Sequence, residues 1–262
     1  MLQALLIGLV VGVVVGVLGA GGGILSVPIL VYGLGQAPHS AAASSLVIVG
    51  ATAVAGSIHH LRHRTIDWGN GLAFGLLGLA GSFLGSRASV RTDPTLLMAL
   101  FAGLLAVVSV AMFAKAARDR RQQPADDRTA RARQAAPRRS LGQWLKIFAL
   151  ASLTGGVTGF FGVGGGFVVV PMLVLALGLP MRTAAGTSLL VMVITTSSGL
   201  LSRVGTHVVI DWPLTTAFTI GSMTGGLLGG PLTSRVPGWV LTLAFGVLLG
   251  LVSVGVALLN RG

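Results

Sequence analysis

The chain has 262 residues, 53% hydrophobic and only 9% charged, with a mean hydropathy of +0.89. That balance excludes an ordinary soluble domain and points to an all-α, polytopic membrane protein. Cysteine is absent, which removes disulfides, thiolate metal sites and a cysteine nucleophile, and the net charge of +12 is concentrated in one segment rather than laid out as a nucleic-acid surface.

In chain order, the first apolar run covers residues 4–33. As one straight helix it would be about 45 Å long, against about 30 Å of bilayer hydrocarbon. No Lys or Arg precedes it, so it reads as a first membrane segment, not a cleaved signal peptide. Its middle holds Gly19-Ala-Gly-Gly-Gly23, followed by Pro28. Glycine costs about 1 kcal/mol per residue in a helix interior. The cluster therefore predicts a break, with a half-helix restarting near Gly22–Ile24. Such an N-terminus offers unpaired N–H groups and a positive dipole end to an anion. The competing reading is close helix packing through small residues.

Further apolar runs follow at about 41–58, 71–86 and 95–114. A linker then carries ten of the 18 Lys and Arg residues, between Lys115 and Lys146. Apolar runs resume at 145–179, 184–201, 213–232 and 238–259, the first interrupted by Gly162-Val-Gly-Gly-Gly166 and followed by Pro171. This divides the chain into a first transmembrane repeat (1–114), a basic linker (115–144) and a second repeat (145–262).

The two halves repeat each other. At an offset of 143, Gly12, Gly16, Gly19, Gly21–Gly23, Pro28 and Gly35 meet Gly155, Gly159, Gly162, Gly164–Gly166, Pro171 and Gly178. Ser45 and Leu46 meet Ser188 and Leu189 at the same offset, and Ile66-Asp67-Trp68 meets Ile210-Asp211-Trp212 at 144. With four simple spans per half, both termini and the linker share one side, which holds 14 of the 18 basic residues. The positive-inside rule makes that side cytoplasmic. A re-entrant hairpin at either glycine break would instead invert the halves.

Charges inside the spans are scarce: there is no Glu, and outside the linker the acids are Asp67, Asp93 and Asp211. A cation site would want carboxylates within the spans. An anion site can be built from N–H groups, hydroxyls and an Arg. Ser44 and Ser45, with Thr187 and Ser188 at the matching positions, are the candidate substrate hydroxyls, beside Gly21, Gly22, Gly23, Gly164, Gly165 and Gly166. The alternative for the hydroxyls is bonding within their own helices. His59, His60, Arg203, Asp67 and Asp211 are candidates for coupling or gating. The bland alternatives are a solvated basic loop for the histidines and helix caps for the aspartates. No metal site, cofactor or catalytic constellation is read, so an enzyme is not expected.

The duplicated order Gly-x-Gly-Gly-Gly-x4-Pro, small-Ser/Thr-Ser, Ile-Asp-Trp and Gly-x3-Gly resembles the sulfite exporter TauE/SafE family, also described as the four-toluene-sulfonate uptake permease family. The similarity covers nearly everything but the linker. It implies a multi-pass plasma-membrane carrier of about eight spans for a small sulfur-containing oxyanion of the sulfite, sulfonate or sulfoacetate class. A channel-like anion pore, a carrier of a small organic acid and a non-transporting scaffold are the alternatives. Partners implied are a small anion and the bilayer, without nucleic acid; self-association is left open. One departure is the His59-His60-Leu-Arg-His-Arg64 loop, more basic than its counterpart Ser202-Arg203-Val-Gly-Thr-His207.

Overall fold

A computed structural model describes residues 2–18, 23–121, 141–162, 165–203, 210–233 and 236–259. Among them the chain is helical with short connections and no strands. In the order of the chain, α1 is Leu2–Leu18, and α2 is Gly23–Pro28 continued by a π-helical turn through Gly33. Then come α3 (Pro38–Arg62), α4 (Trp68–Val90) and α5 (Pro94–Arg121). After the linker, α6 is Leu141–Phe161, and α7 is Gly166–Pro171 with its π turn Met172–Ala176. The last three are α8 (Met181–Arg203), α9 (Trp212–Thr233) and α10 (Gly238–Leu259). Among the described residues five helices, α3, α4, α5, α8 and α10, are long and apolar enough to cross a membrane. Their backbone bonds close within the helix, as a lipid environment demands.

The second predicted break is present at Gly162 and Gly165, Gly19–Gly22 of the first lie outside the described residues, and each glycine cluster is followed by the same short helix. Pro28 and Pro171 lack an N–H to donate to the preceding turn, and the helix widens to π geometry directly after each. Gly35 and Gly178 then adopt φ of +69° and +68°. Beyond them the N–H of Gln36 donates to the Leu30 carbonyl at 2.8 Å and that of Leu179 to the Leu173 carbonyl at 3.0 Å. These are left-handed glycine caps, which satisfy carbonyls the helix end would leave bare.

Glycine sets how the helices pair. A Cβ at Gly8, Gly12 or Gly16 of α1 would overlap the backbone carbonyl of Phe218, Ser222 or Gly226 of α9. In return Gly221, Gly225 and Gly229 sit on the carbonyls of Leu5, Leu9 and Val13. The same interlock joins α6 to α4: Gly155 and Gly159 against Gly78 and Ser82, Gly81 and Gly85 against Ser152 and Gly156. Glycines four apart let two backbones touch along a parallel pair. Each half thus lends its first helix to the other half.

These contacts fix direction. In both glycine pairs the numbers rise together, so α1 runs parallel to α9 and α6 to α4. The α3–α8 crossing runs the other way: Leu46 faces Gly199, Gly50 faces Thr196, Gly56 faces Leu189 and His60 faces Gly186. Ser109 donating to the Gly246 carbonyl and Ser253 to the Ala102 carbonyl make α5 and α10 antiparallel. Short connections reverse the chain between α3, α4 and α5 and between α8, α9 and α10. Hence α1, α3, α5 and α9 run one way and α4, α6, α8 and α10 the other: sequence-matched helices are inverted.

This corrects the expectation that both termini and the linker share a side. Because α1 and α3 run the same way, the chain reverses at the first break and α2 runs back. The start of α1 therefore lies on the side of the α4–α5 turn, here the Leu2 side, opposite the end of α5 from which the linker departs. Each half keeps four membrane-embedded units, the first being a broken hairpin instead of a span.

Candidate functional site

The first helix of each half runs past the middle of the bundle before it ends. Gly16, in the last turn of α1, meets Gly226, and Gly226 meets Thr52 in the middle of α3. Gly159, near the end of α6, meets Ser82, whose hydroxyl donates at 3.0 Å to the carbonyl of Thr195, the residue matching Thr52. The half-helices α2 and α7 touch one another beyond these points.

The second break is the better described. Gly162 and Gly165 have φ of +64° and +82°, conformations that favour glycine. A Cβ on Gly162 would stand 2.6 Å from the Ala42 methyl of α3, and one on Gly165 would stand 2.5 Å from Thr158 Oγ1. Phe161 and Phe167 flank the break and pack on Phe101 of α5, with ring centroids 5.5 and 5.6 Å away. The Gly165 carbonyl accepts the N–H groups of Val168 and Val169, which starts α7, and Gly166 is buried. Gly23 is buried at the start of α2, while Gly21, Gly22 and Gly164 lie outside the described residues.

Ser44 and Ser45 follow Ala42 on α3, so the second-half break abuts the first-half hydroxyls. Both serines are 0% exposed and neither hydroxyl has a hydrogen-bond partner. Their counterparts differ. Thr187 Oγ1 accepts the backbone N–H of Asp67 at 2.9 Å, and Ser188 Oγ donates to the Ala185 carbonyl at 2.7 Å. The structure also separates the two pairs. Since α3 and α8 cross antiparallel near Thr52 and Thr195, Ser44 and Ser45 lie toward one end of the crossing and Thr187 and Ser188 toward the other, about 20 Å apart along the helix axes. The expected single cradle lined by all four hydroxyls is not what these helices form.

Arg203, in the last turn of α8, is 7% exposed and comes to the serine end, where its Nη1 donates to the His39 carbonyl of α3 at 3.4 Å. His39 Nε2 donates in turn to the Ser89 carbonyl at 3.0 Å. At the other end His60 is buried, its Nδ1 2.7 Å from Thr65 Oγ1, and Gly186 leaves the space it occupies: a Cβ there would be 2.9 Å from Nδ1. His59 is helical, but its side chain lies outside the described residues. Asp67 caps α4 by accepting from Asn70 N–H at 3.0 Å, and Asp211 accepts from Leu214 N–H at 3.1 Å at the start of α9. Trp68 and Trp212 beside them are exposed. Two surface grooves among the described residues, along α1–α10 and α4–α6, are apolar and do not include these residues.

The family model of the sulfite exporter TauE/SafE matches residues 4–256. The chain belongs to the TauE/SafE family. A "probable membrane transporter protein" of Xylella fastidiosa (strain 9a5c) is 36% identical over 83% of this chain and 79% of its own length. The Bacillus subtilis "probable membrane transporter protein YunE" is 26% identical over 88% of this chain and 87% of its own. A "probable membrane transporter protein" of the archaeon Methanocaldococcus jannaschii is 25% identical over 76% of this chain and 70% of its own. No solved structure matches. As a TauE/SafE member the chain is a multi-pass membrane transporter.

Sequence reasoning did not single out Tyr32, Gln36, Ser89 or Thr215, whose buried polar atoms also lack partners. A signal was there: Leu175 and Leu179 stand at the positions matching Tyr32 and Gln36, so one half is polar where the other is apolar.

Proposed function

We propose that this TauE/SafE protein is a secondary carrier for a small sulfur-containing oxyanion of the sulfite, sulfonate or sulfoacetate class, placed in a bacterial-type plasma membrane with its linker in the cytoplasm. The observation that carries the reading is the pair of buried, unpartnered hydroxyls of Ser44 and Ser45 near the break at Gly162–Gly165. A buried hydroxyl without a partner is costly, and an oxyanion would accept from both. Family membership supports transport, and the inverted, interlocked halves support rocking of one set of helices against the other around an interior site. His60 and Asp67, at the other end of the crossing, are the residues to test for coupling.

The test is flux in proteoliposomes. Saturable uptake of sulfite or a sulfonate, accelerated by the same anion on the far side, is the expected result. Currents of single-channel size would replace the carrier with a pore, and flux of carboxylates alone would move the substrate to small organic acids.

A further inference from the structure

The end of α5 carries charge that the carrier reading does not use. The helix has 28 residues, so it is about 42 Å long against about 30 Å of hydrocarbon. Its apolar part ends at Ala114, and Lys115, Arg118 and Arg120 follow on the linker side, where the extra length reaches the lipid headgroups. Asp119 pairs with Lys115 one turn earlier. Arg118 and Arg120 are exposed. The Arg120 guanidinium lies over the ring of Trp239, 5.7 Å from its centroid, in the first turn of α10. Stacking of this kind uses the face of the guanidinium and leaves its N–H edge for an acceptor such as a phosphate. Tryptophan at this level is an interfacial anchor.

The apolar groove between α1 and α10 begins beside this stack. Val240 follows Trp239 and Leu243 lies one turn on from it. Both line the groove, with Val247 and Leu251 further along α10 and Val14 and Leu18 across it on α1. The groove holds about 400 Å³, and Val240 to Leu251 covers about 17 Å of helix axis. It opens because α1 ends at Leu18, whereas α10, running the other way, starts further toward the linker side at Gly238. Leu243, Val247 and Leu251 are exposed, so in a bilayer hydrocarbon meets them. The α4–α6 groove reaches Ala88 near the other face, where Arg87 lies over Phe83. Residues 87–93 hold two basic side chains and one acid, against four and one in residues 115–121. The linker side is thus the stronger attractor of a negative headgroup.

We propose that this corner binds one anionic phospholipid of the linker-side leaflet, its phosphate on the free edge of Arg120 and one acyl chain along the α1–α10 groove. The proposal is independent of the transported anion and of Ser44 and Ser45.

The experiment titrates the full-length, delipidated protein in detergent with dioleoylphosphatidylglycerol or dioleoylphosphatidylcholine, bound lipid being counted by mass spectrometry of the intact complex. Phosphatidylglycerol should bind roughly tenfold or more tightly than phosphatidylcholine. Arg120→Gln should weaken it roughly 10- to 150-fold, the effect of one charge-assisted hydrogen bond. Arg118, two residues earlier and so on nearly the opposite face of α5, is the control: Arg118→Gln should lose no more than about fivefold, the general pull of one charge near a headgroup surface. Ala244→Trp fills the groove without changing charge and should weaken the lipid severalfold; if it does not fold, Val247→Trp takes its place. Equal binding of the two lipids would overturn the anionic head. Equal losses from Arg118→Gln and Arg120→Gln would replace the site with general surface charge. Wild-type affinity in the groove variant, or the same affinity for glycerol 3-phosphate, which has no chains, would overturn the groove. A dimer that Ala244→Trp breaks, without retained lipid, would give the groove to a second copy and end the proposal.

Discussion

Thr187 Oγ1 accepts the backbone N–H of Asp67 at 2.9 Å, joining α8 of the second half to the turn that precedes α4 of the first. Close by, Gly186 makes room for His60. Thr187→Val keeps the shape but removes the acceptor and leaves the N–H unpaired. Such a loss costs about 1–3 kcal/mol. Lower thermal stability in detergent is expected, restored by Thr187→Ser. Unchanged stability of the valine variant would show that water replaces the threonine.

The interlocked glycines give a second prediction. Gly12→Ala and Gly155→Ala each push a methyl group into a backbone carbonyl across the interface, and neither neighbour is a side chain that can swing away. Overpacking of this kind costs about 1–3 kcal/mol. Gly103 and Gly255 sit in helices with nothing within 4 Å of an added Cβ. Alanine there should be neutral or stabilising by up to about 1 kcal/mol through helix propensity. Thermal unfolding of the four single variants checks the ranking, and a large loss at Gly103 would contradict it.

Direction of the helices is testable because the chain has no native cysteine. Cysteines introduced at Gln3 and at Ala125 should react on opposite faces of the membrane. With ten basic residues resisting translocation of the linker, the Ala125 cysteine should be shielded from impermeant reagents in intact cells and the Gln3 cysteine labelled. Both shielded, or both labelled, would contradict the hairpin at the first break.

What was legible in the sequence was local. The glycine break before α7, the proline that follows it and the aspartate caps at Asp67 and Asp211 depend on neighbouring residues, and each lies where the pattern placed it. Direction was not legible. Gly19–Gly23 looks the same whether the chain kinks onward or turns back, and hydropathy counts residues 4–33 as one run in either case. That ambiguity hid the placement of the hydroxyls. In parallel halves the pairs Ser44–Ser45 and Thr187–Ser188 would sit at one level. Inversion carries them to opposite ends of a crossing centred on Thr52 and Thr195. The pairing of α1 with α9 was hidden too: the spacing of Gly8, Gly12 and Gly16 announces a close contact without naming the partner.

The contrast between Ser45 and Ser188 yields a last prediction, on stability without ligand. The two occupy matching positions and both are fully buried, yet Ser188 Oγ donates to the Ala185 carbonyl at 2.7 Å and Ser45 Oγ has no partner. Ser188→Ala removes a made bond and should cost about 0.5–1.5 kcal/mol. Ser45→Ala removes a hydroxyl whose desolvation is not compensated in the anion-free protein, so it should be neutral or stabilising by up to about 1–2 kcal/mol. Function would explain why such a hydroxyl is kept, since sites that bind ligands often sacrifice some stability. A bound anion stabilises the fold in proportion to its affinity. Adding methanesulfonate should therefore raise the unfolding temperature of wild type and Ser188→Ala alike, and that of Ser45→Ala less. The check is a pair of melting curves for each variant, without and with the anion. If Ser45→Ala melts well below wild type in the absence of anion, its hydroxyl has an internal partner and is not held in reserve for a ligand.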